Sequence, residues 1–170
     1  MKRQTKFFSL FFIFSFFVNT NIFSQSDQYF GVESGFGSSL EGANTTSIGL
    51  SYENVFSNHW GIETGIFSKN TYDSSLKYRF LEIPLSLKYY SKAINISCGL
   101  NSGLFTGAQS YANSFLIWDT SLKFEMMVKV SHEFEINDAF SVEPAIICIP
   151  LSNLEENVHF ALGVKLKYLL

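Results

Sequence analysis

The sequence predicts an all-β fold: an eight-stranded antiparallel up-and-down barrel over residues 25–170. Three observations carry this. Apolar and polar residues alternate with period two over most of that length. Short turns and longer polar connections take turns along the chain, as hairpins require. No stretch reads as an amphipathic helix.

Residues 1–24 precede this pattern. Lys2, Arg3 and Lys6 form a cationic start, and Phe7–Val18 is an apolar run with seven Phe. A short polar-leaning stretch ends at Ser24, which gives the layout of a secretory signal peptide. The run is shorter than the roughly 20 residues a transmembrane helix needs. Its removal takes away three cations and no acid, so the formal charge of −3 would become −6.

Eight strands follow, at about 28–38, 44–56, 59–69, 77–90, 93–105, 119–135, 139–150 and 157–169. The fourth is the clearest: Leu81, Ile83, Leu85, Leu87 and Tyr89 alternate with Glu82, Pro84, Ser86, Lys88 and Tyr90. The sixth sets Leu122, Phe124, Met126, Val128 and Val130 against Lys123, Glu125, Lys129 and Ser131. The eighth sets Phe160, Leu162, Val164, Leu166 and Tyr168 against Gly163, Lys165 and Lys167. The fifth repeats the pattern from Ile94 to Leu100. Weaker copies begin at Phe30, Thr46, Trp60 and Phe140. Pro84 and Pro144 lack a ladder N–H, and a bulge is expected at each. Tight turns fall at Ser57–His59, Ser91–Ala93 and Asn137–Asp138. Longer connections fall at Ser38–Ala43, Asn70–Leu76, Thr106–Trp118 and Leu151–Glu156.

Alternation alone does not say which face is outside. A lipocalin-like barrel hides its apolar face, and a membrane barrel shows it. The apolar faces named above carry no Asp, Glu, Lys or Arg. The polar faces are rich in Gly and Ser, which suits a crowded interior. Charged residues make up 16% of the chain, against roughly 25% in soluble domains. The expectation is therefore a transmembrane barrel with its apolar face in lipid. Its long connections would be extracellular. On the third of them the aromatic Tyr111, Phe115 and Trp118 would form a rim patch that either binds a partner or lies in the interface as an aromatic girdle, the reading favoured for Phe115–Trp118. The short turns, both mature termini and a girdle of Tyr52, Trp60, Tyr89, Phe134 and Tyr168 would be periplasmic.

On that reading Glu33, Glu53, Glu63, Glu82, Glu125 and Glu143 point inward with Lys88, Lys123, Lys129, Lys165 and Lys167. Acids and bases nearly cancel, so an interior ion-pair network is expected, with Lys165 and Lys167 between Glu33 and Glu143 on closure. The acids are spread over six strands, and no base or nucleophile clusters with them, so no catalytic residue is assigned. His59, His132 and His159 lack metal-ligand spacing, and no metal or cofactor is expected. Two Cys, placed on non-neighbouring strands, make no disulfide scaffold. The charge excludes a basic nucleic-acid face.

Phe80–Tyr89, reading FLEIPLSLKY, resembles the fourth-strand signature of the outer membrane protein beta-barrel domain family, the PorT-like group. Val142-Glu143-Pro144 resembles its penultimate-strand pattern. The resemblance implies an eight-stranded barrel in the outer membrane of a diderm bacterium, with some members tied to protein secretion and no catalytic residues. The expected function is a non-enzymatic scaffold, adhesin or secretion accessory. A small ligand-binding or transport barrel is the alternative, and a lipid hydrolase a more distant one. Expected partners are outer-membrane lipids, the barrel assembly machinery and secretion-machinery proteins.

Overall fold

A computed structural model describes residues 27–39, 42–73, 76–110, 116–117, 121–150 and 158–170. Its strands are β1 (Asp27–Ser39), β2 (Asn44–Ser57), β3 (Trp60–Asp73), β4 (Leu76–Tyr89), β5 (Asn95–Ser110), β6 (Leu116–Ile117), β7 (Leu122–Ser131), β8 (Phe134–Glu135), β9 (Phe140–Ile149) and β10 (His159–Leu169). Every pairing is antiparallel. Eight long strands follow one another around a ring, and β10 pairs with both β9 and β1. The sheet therefore closes on itself, and no long strand keeps an unpaired edge. The fold is the predicted eight-stranded up-and-down barrel. The segment 1–24 and the residues Tyr111, Phe115 and Trp118 lie outside the described residues, as does Leu151–Glu156.

The barrel is inverted relative to a soluble domain. Its outward side chains are large and apolar: Leu85, Leu87, Leu100, Phe124, Met126, Ile146, Leu162 and Val164 are all exposed. Val128 is half-exposed on the same face. The buried residues are dominated by Glu, Lys and Ser.

Each short turn is closed by a side chain that completes backbone bonds the ladder leaves open. Ser57 Oγ accepts from the N–H of Trp60 at 3.1 Å. Ser91 Oγ accepts from the N–H of Ile94 at 3.1 Å and donates to its carbonyl at 2.6 Å. Asn137 Oδ1 accepts from the N–H groups of Ala139 and Phe140, both at 2.9 Å. The chain end lies with these turns, since the N–H of Leu170 donates to Gln28 O at 2.8 Å.

Three expectations are corrected. Asn70–Leu76 is not a loop: β3 continues to Asp73, which pairs with Leu76. Thr106–Ser110 likewise belongs to β5. Above the apolar belt a strand needs no apolar residues, so the period-two signal fades there while the ladder continues. Second, the sixth predicted strand is interrupted. β7 ends at Ser131, and β8 resumes at Phe134 in the same register against β9. The break faces Pro144, which accepts from the N–H of His132 at 3.2 Å but has no N–H to return. Third, neither proline sits at a bulge. The β3–β4 ladder skips Pro84 without a register shift, and Thr64 Oγ1 donates to the Pro84 carbonyl at 2.8 Å. The register shifts lie instead at Val55/Ser57 and at Arg79/Phe80. At the second of these β5 carries the extra residue, and Gly107 beside it holds φ +150°, a conformation open to glycine.

Candidate functional site

Strand parity turns the charged residues to one side, and ring closure brings them together. Glu33 pairs in register with Lys165, and Lys165 with Glu143 across the other edge of β10. An eight-strand barrel has an interior just wide enough for side chains to meet across it. Lys88 reaches Glu53 at 2.9 Å and also contacts Glu143. Lys129 binds Glu63 at 2.6 Å and Glu33 at 3.2 Å. Lys165 lies 3.0 Å from Glu63 and 3.3 Å from Glu53. Lys167 bridges Glu53 and Glu133, both at 2.8 Å.

Glu53 is the hub of this network. Its carboxylate receives three ammonium groups and the Tyr90 hydroxyl, the last at 2.7 Å. Burial pushes the Tyr90 phenol above its ordinary value, and the charge of Glu53 adds to this, so the hydroxyl keeps its proton and donates. Lys88 and Glu143 have no exposed surface at all. Burial of such charges is tolerable because every one has several opposite partners.

Eight of the predicted interior residues thus meet: Glu33, Glu53, Glu63, Glu143, Lys88, Lys129, Lys165 and Lys167. Glu82, Lys123 and Glu125 lie apart, towards the end away from the chain terminus. There Glu82 pairs with Lys69 at 2.9 Å, and Lys123 Nζ sits 4.7 Å above the Phe80 ring. These three line a mouth cavity of about 240 Å³ with Tyr78, Asp73 and His159. A smaller space of about 70 Å³, lined in part by Phe67, Met127, Ile147 and Ile149, lies between the mouth and the network.

Sequence reasoning missed Lys69, Glu133 and Tyr90. Lys69 and Glu133 each continue the inward parity of their strands by one more step. Tyr90 also continues the inward parity of β4, one step past its last ladder residue, but an uncharged phenol is not counted with the charged network.

Among the described residues no activated nucleophile is assembled. Ser131 Oγ donates to Glu143, with no imidazole beside it. His132 Nδ1 instead contacts the Ala93 carbonyl, and its ring meets Phe134 edge-on. Among the described residues no group of His, Cys, Asp and Glu is placed to hold a metal ion. Cys98 and Cys148 are free thiols on the outward face, either side of Val128 in one row.

The outer face differs between its two ends. Near the short turns it is aromatic: Trp60 packs on Tyr89 and Phe140 on Tyr168, each with ring centroids 5.0 Å apart. At the other end Lys77 and Arg79 project from β4.

The fold is shared with small outer-membrane barrels. The outer membrane protein AlkL matches with a TM-score of 0.59 at 13% identity, over 86% of this chain and 90% of that one. Neisserial surface protein A matches at 0.56 and 11%, over 84% and 96%. Ail, the attachment invasion locus protein of Yersinia pestis, matches at 0.52 and 14%, over 85% and 97%. No family model matches the chain, and no curated protein does.

Proposed function

We propose that this chain is an integral outer-membrane barrel that conducts nothing through its centre and acts through its rim. One observation carries the reading: a charge-free apolar belt on all eight strands encloses a core of paired Lys and Glu. In water that arrangement would expose the apolar belt and bury the charges. In lipid both surfaces match their surroundings. The signal-peptide layout of residues 1–24 together with membrane-spanning strands supports the outer membrane as its place. The short turns and termini face the periplasm, with insertion aided by the barrel assembly machinery.

With the interior blocked by ion pairs and no catalytic constellation among the described residues, the loop-bearing rim is the working surface this reading favours. A scaffold, an adhesin or an accessory of a secretion machine uses such a surface. The PorT-like resemblance at Phe80–Tyr89 supports the accessory role, and the shared fold of an attachment protein supports the adhesin. The mouth cavity favours one second reading, a small ligand-binding barrel. Its ligand would enter and leave by the same opening, because the network lies beneath it.

Single-channel recording on the protein refolded into planar bilayers tests the blocked core. The expected result is no steady conductance. A stable open level would overturn the blocked-core reading and favour transport.

A further inference from the structure

The outward faces of the eight long strands carry two charged side chains among the described residues, and both are cations. Lys77 and Arg79 stand at i and i+2 on β4, directly beyond Leu81, where the apolar belt ends. Their α-carbons are about 7 Å apart along the strand. Arg79 Nη2 donates to Gln109 Oε1 at 3.0 Å on the neighbouring strand, and Lys77 Nζ lies 5.2 Å from the Tyr72 ring centroid on the other side. In register with Arg79 stands the uncharged Asn70. Among the described residues no carboxylate stands on the outward face of these strands. At the opposite end of the barrel the corresponding outward positions are aromatic and uncharged.

We propose that Lys77 and Arg79 bind the phosphate of an anionic lipid headgroup in the leaflet at the loop-bearing end. The inference rests on the membrane reading above and names a ligand for it. Headgroups lie at the level where an apolar belt gives way to polar side chains, and that is the level of Arg79. A guanidinium offers paired N–H donors to phosphate oxygens, and a lysine adds a point charge one step further out. Acyl chains would run down the apolar face from Leu81. The same two cations on a soluble surface would face water and select nothing.

The test is lipid selectivity. Wild type, the double variant K77Q/R79Q and the control K92Q, altered in a turn at the far end, are refolded into phosphatidylcholine vesicles. Spin-labelled phosphatidylglycerol and spin-labelled phosphatidylcholine then report which lipid is immobilised at the protein. Wild type and K92Q are expected to prefer the anionic lipid at this site by about ten-fold, and K77Q/R79Q to lose that preference. Equal preference in wild type and K77Q/R79Q would overturn the site. Immobilisation of neither lipid by wild type would instead overturn the membrane reading, so the two failures are distinct. Inorganic phosphate added to the detergent-solubilised protein is the second arm. Phosphorus line broadening that depends on Lys77 and Arg79 would identify a soluble phosphate site and overturn the lipid assignment. An unbroadened line supports it.

Discussion

Replacing Glu53 with Gln should be among the costliest single changes to this barrel. The carboxylate accepts from Lys88 at 2.9 Å, Lys167 at 2.8 Å, Lys165 at 3.3 Å and Tyr90 at 2.7 Å, with its side chain 2% exposed. Gln keeps the shape but turns one acceptor into a donor among four donors, and it removes the charge. Breaking one partner of a buried ion pair costs about 3–5 kcal/mol. Redundancy softens the loss here. Lys165 keeps Glu63 at 3.0 Å, Lys167 keeps Glu133 at 2.8 Å, and Lys88 keeps Glu143. The expected cost is therefore near the lower bound, about 3 kcal/mol. Glu133 provides the internal comparison. Its side chain is 23% exposed and its ion-pair partner is Lys167, so E133Q should cost about 1 kcal/mol or less. The assay is urea unfolding of protein refolded into lipid vesicles, followed by tryptophan fluorescence and approached from both directions to establish equilibrium. If E53Q falls within about 0.5 kcal/mol of wild type, the range of ordinary surface changes, the hub assignment is wrong. It is equally wrong if E133Q proves as costly as E53Q.

Met126 pairs with Leu100, which pairs with Leu85, and this row lies mid-belt. M126R should cost about 2–4 kcal/mol in vesicles, whereas T71R, at the polar mouth cavity, should be close to neutral; equal costs would mean the faces are reversed. Pro144→Val restores the N–H that Pro144 cannot offer to β7, and should stabilise by about 0.5–1.5 kcal/mol, with slower amide exchange across the β7–β9 seam. A loss of stability would show that Pro144 does more than interrupt a ladder. For orientation, cysteines placed at Gly42 and Lys92, with Cys98 and Cys148 replaced by Ser, should label differently on cells. Gly42→Cys should react with an impermeant thiol reagent on intact cells, and Lys92→Cys only after the outer membrane is opened; the reverse pattern would invert the barrel.

Strand parity was legible because it is local. From Leu81 to Tyr89 each side chain declares its side, and once the charge-free faces are assigned to the outside, the eight Glu and Lys that meet in the network follow, while Lys69 and Glu133, one step further along their strands, are missed. Which charges meet is less local. Glu33, Lys165 and Glu143 could be placed because closure sets β10 between β1 and β9. The separation of Glu82, Lys123 and Glu125 from the rest depends on height along the barrel axis, which strand stagger decides and no single strand reveals. Proline misled for a related reason. A missing N–H can be absorbed by a bulge or by a gap in the ladder, and both prolines take the gap: each keeps its carbonyl paired, Pro84 with the Thr64 hydroxyl and Pro144 with the His132 N–H, so the register runs on without an extra residue. The polar tips at Asn70–Asp73 and Thr106–Ser110 read as loops because strand pairing above the belt leaves no apolar trace.

Lys165 and Lys167 belong to the final strand, yet Glu53, which both of them contact, precedes them by 112 and 114 residues. Before β10 docks, Glu33, Glu53, Glu63 and Glu143 face one another with only Lys88 and Lys129 between them. A seven-strand intermediate would thus hold a surplus of like charge around an unsealed centre and would stay hydrated. Completion of the ring is the event that makes the interior nearly neutral and lets it dry. Folding is then slow, as distant pairings demand, and all-or-none at its last step. A chain that stops short of His159 would not form a smaller stable barrel. It would remain an open, wet sheet, so the C-terminal strand acts as the chain's own check that assembly has finished.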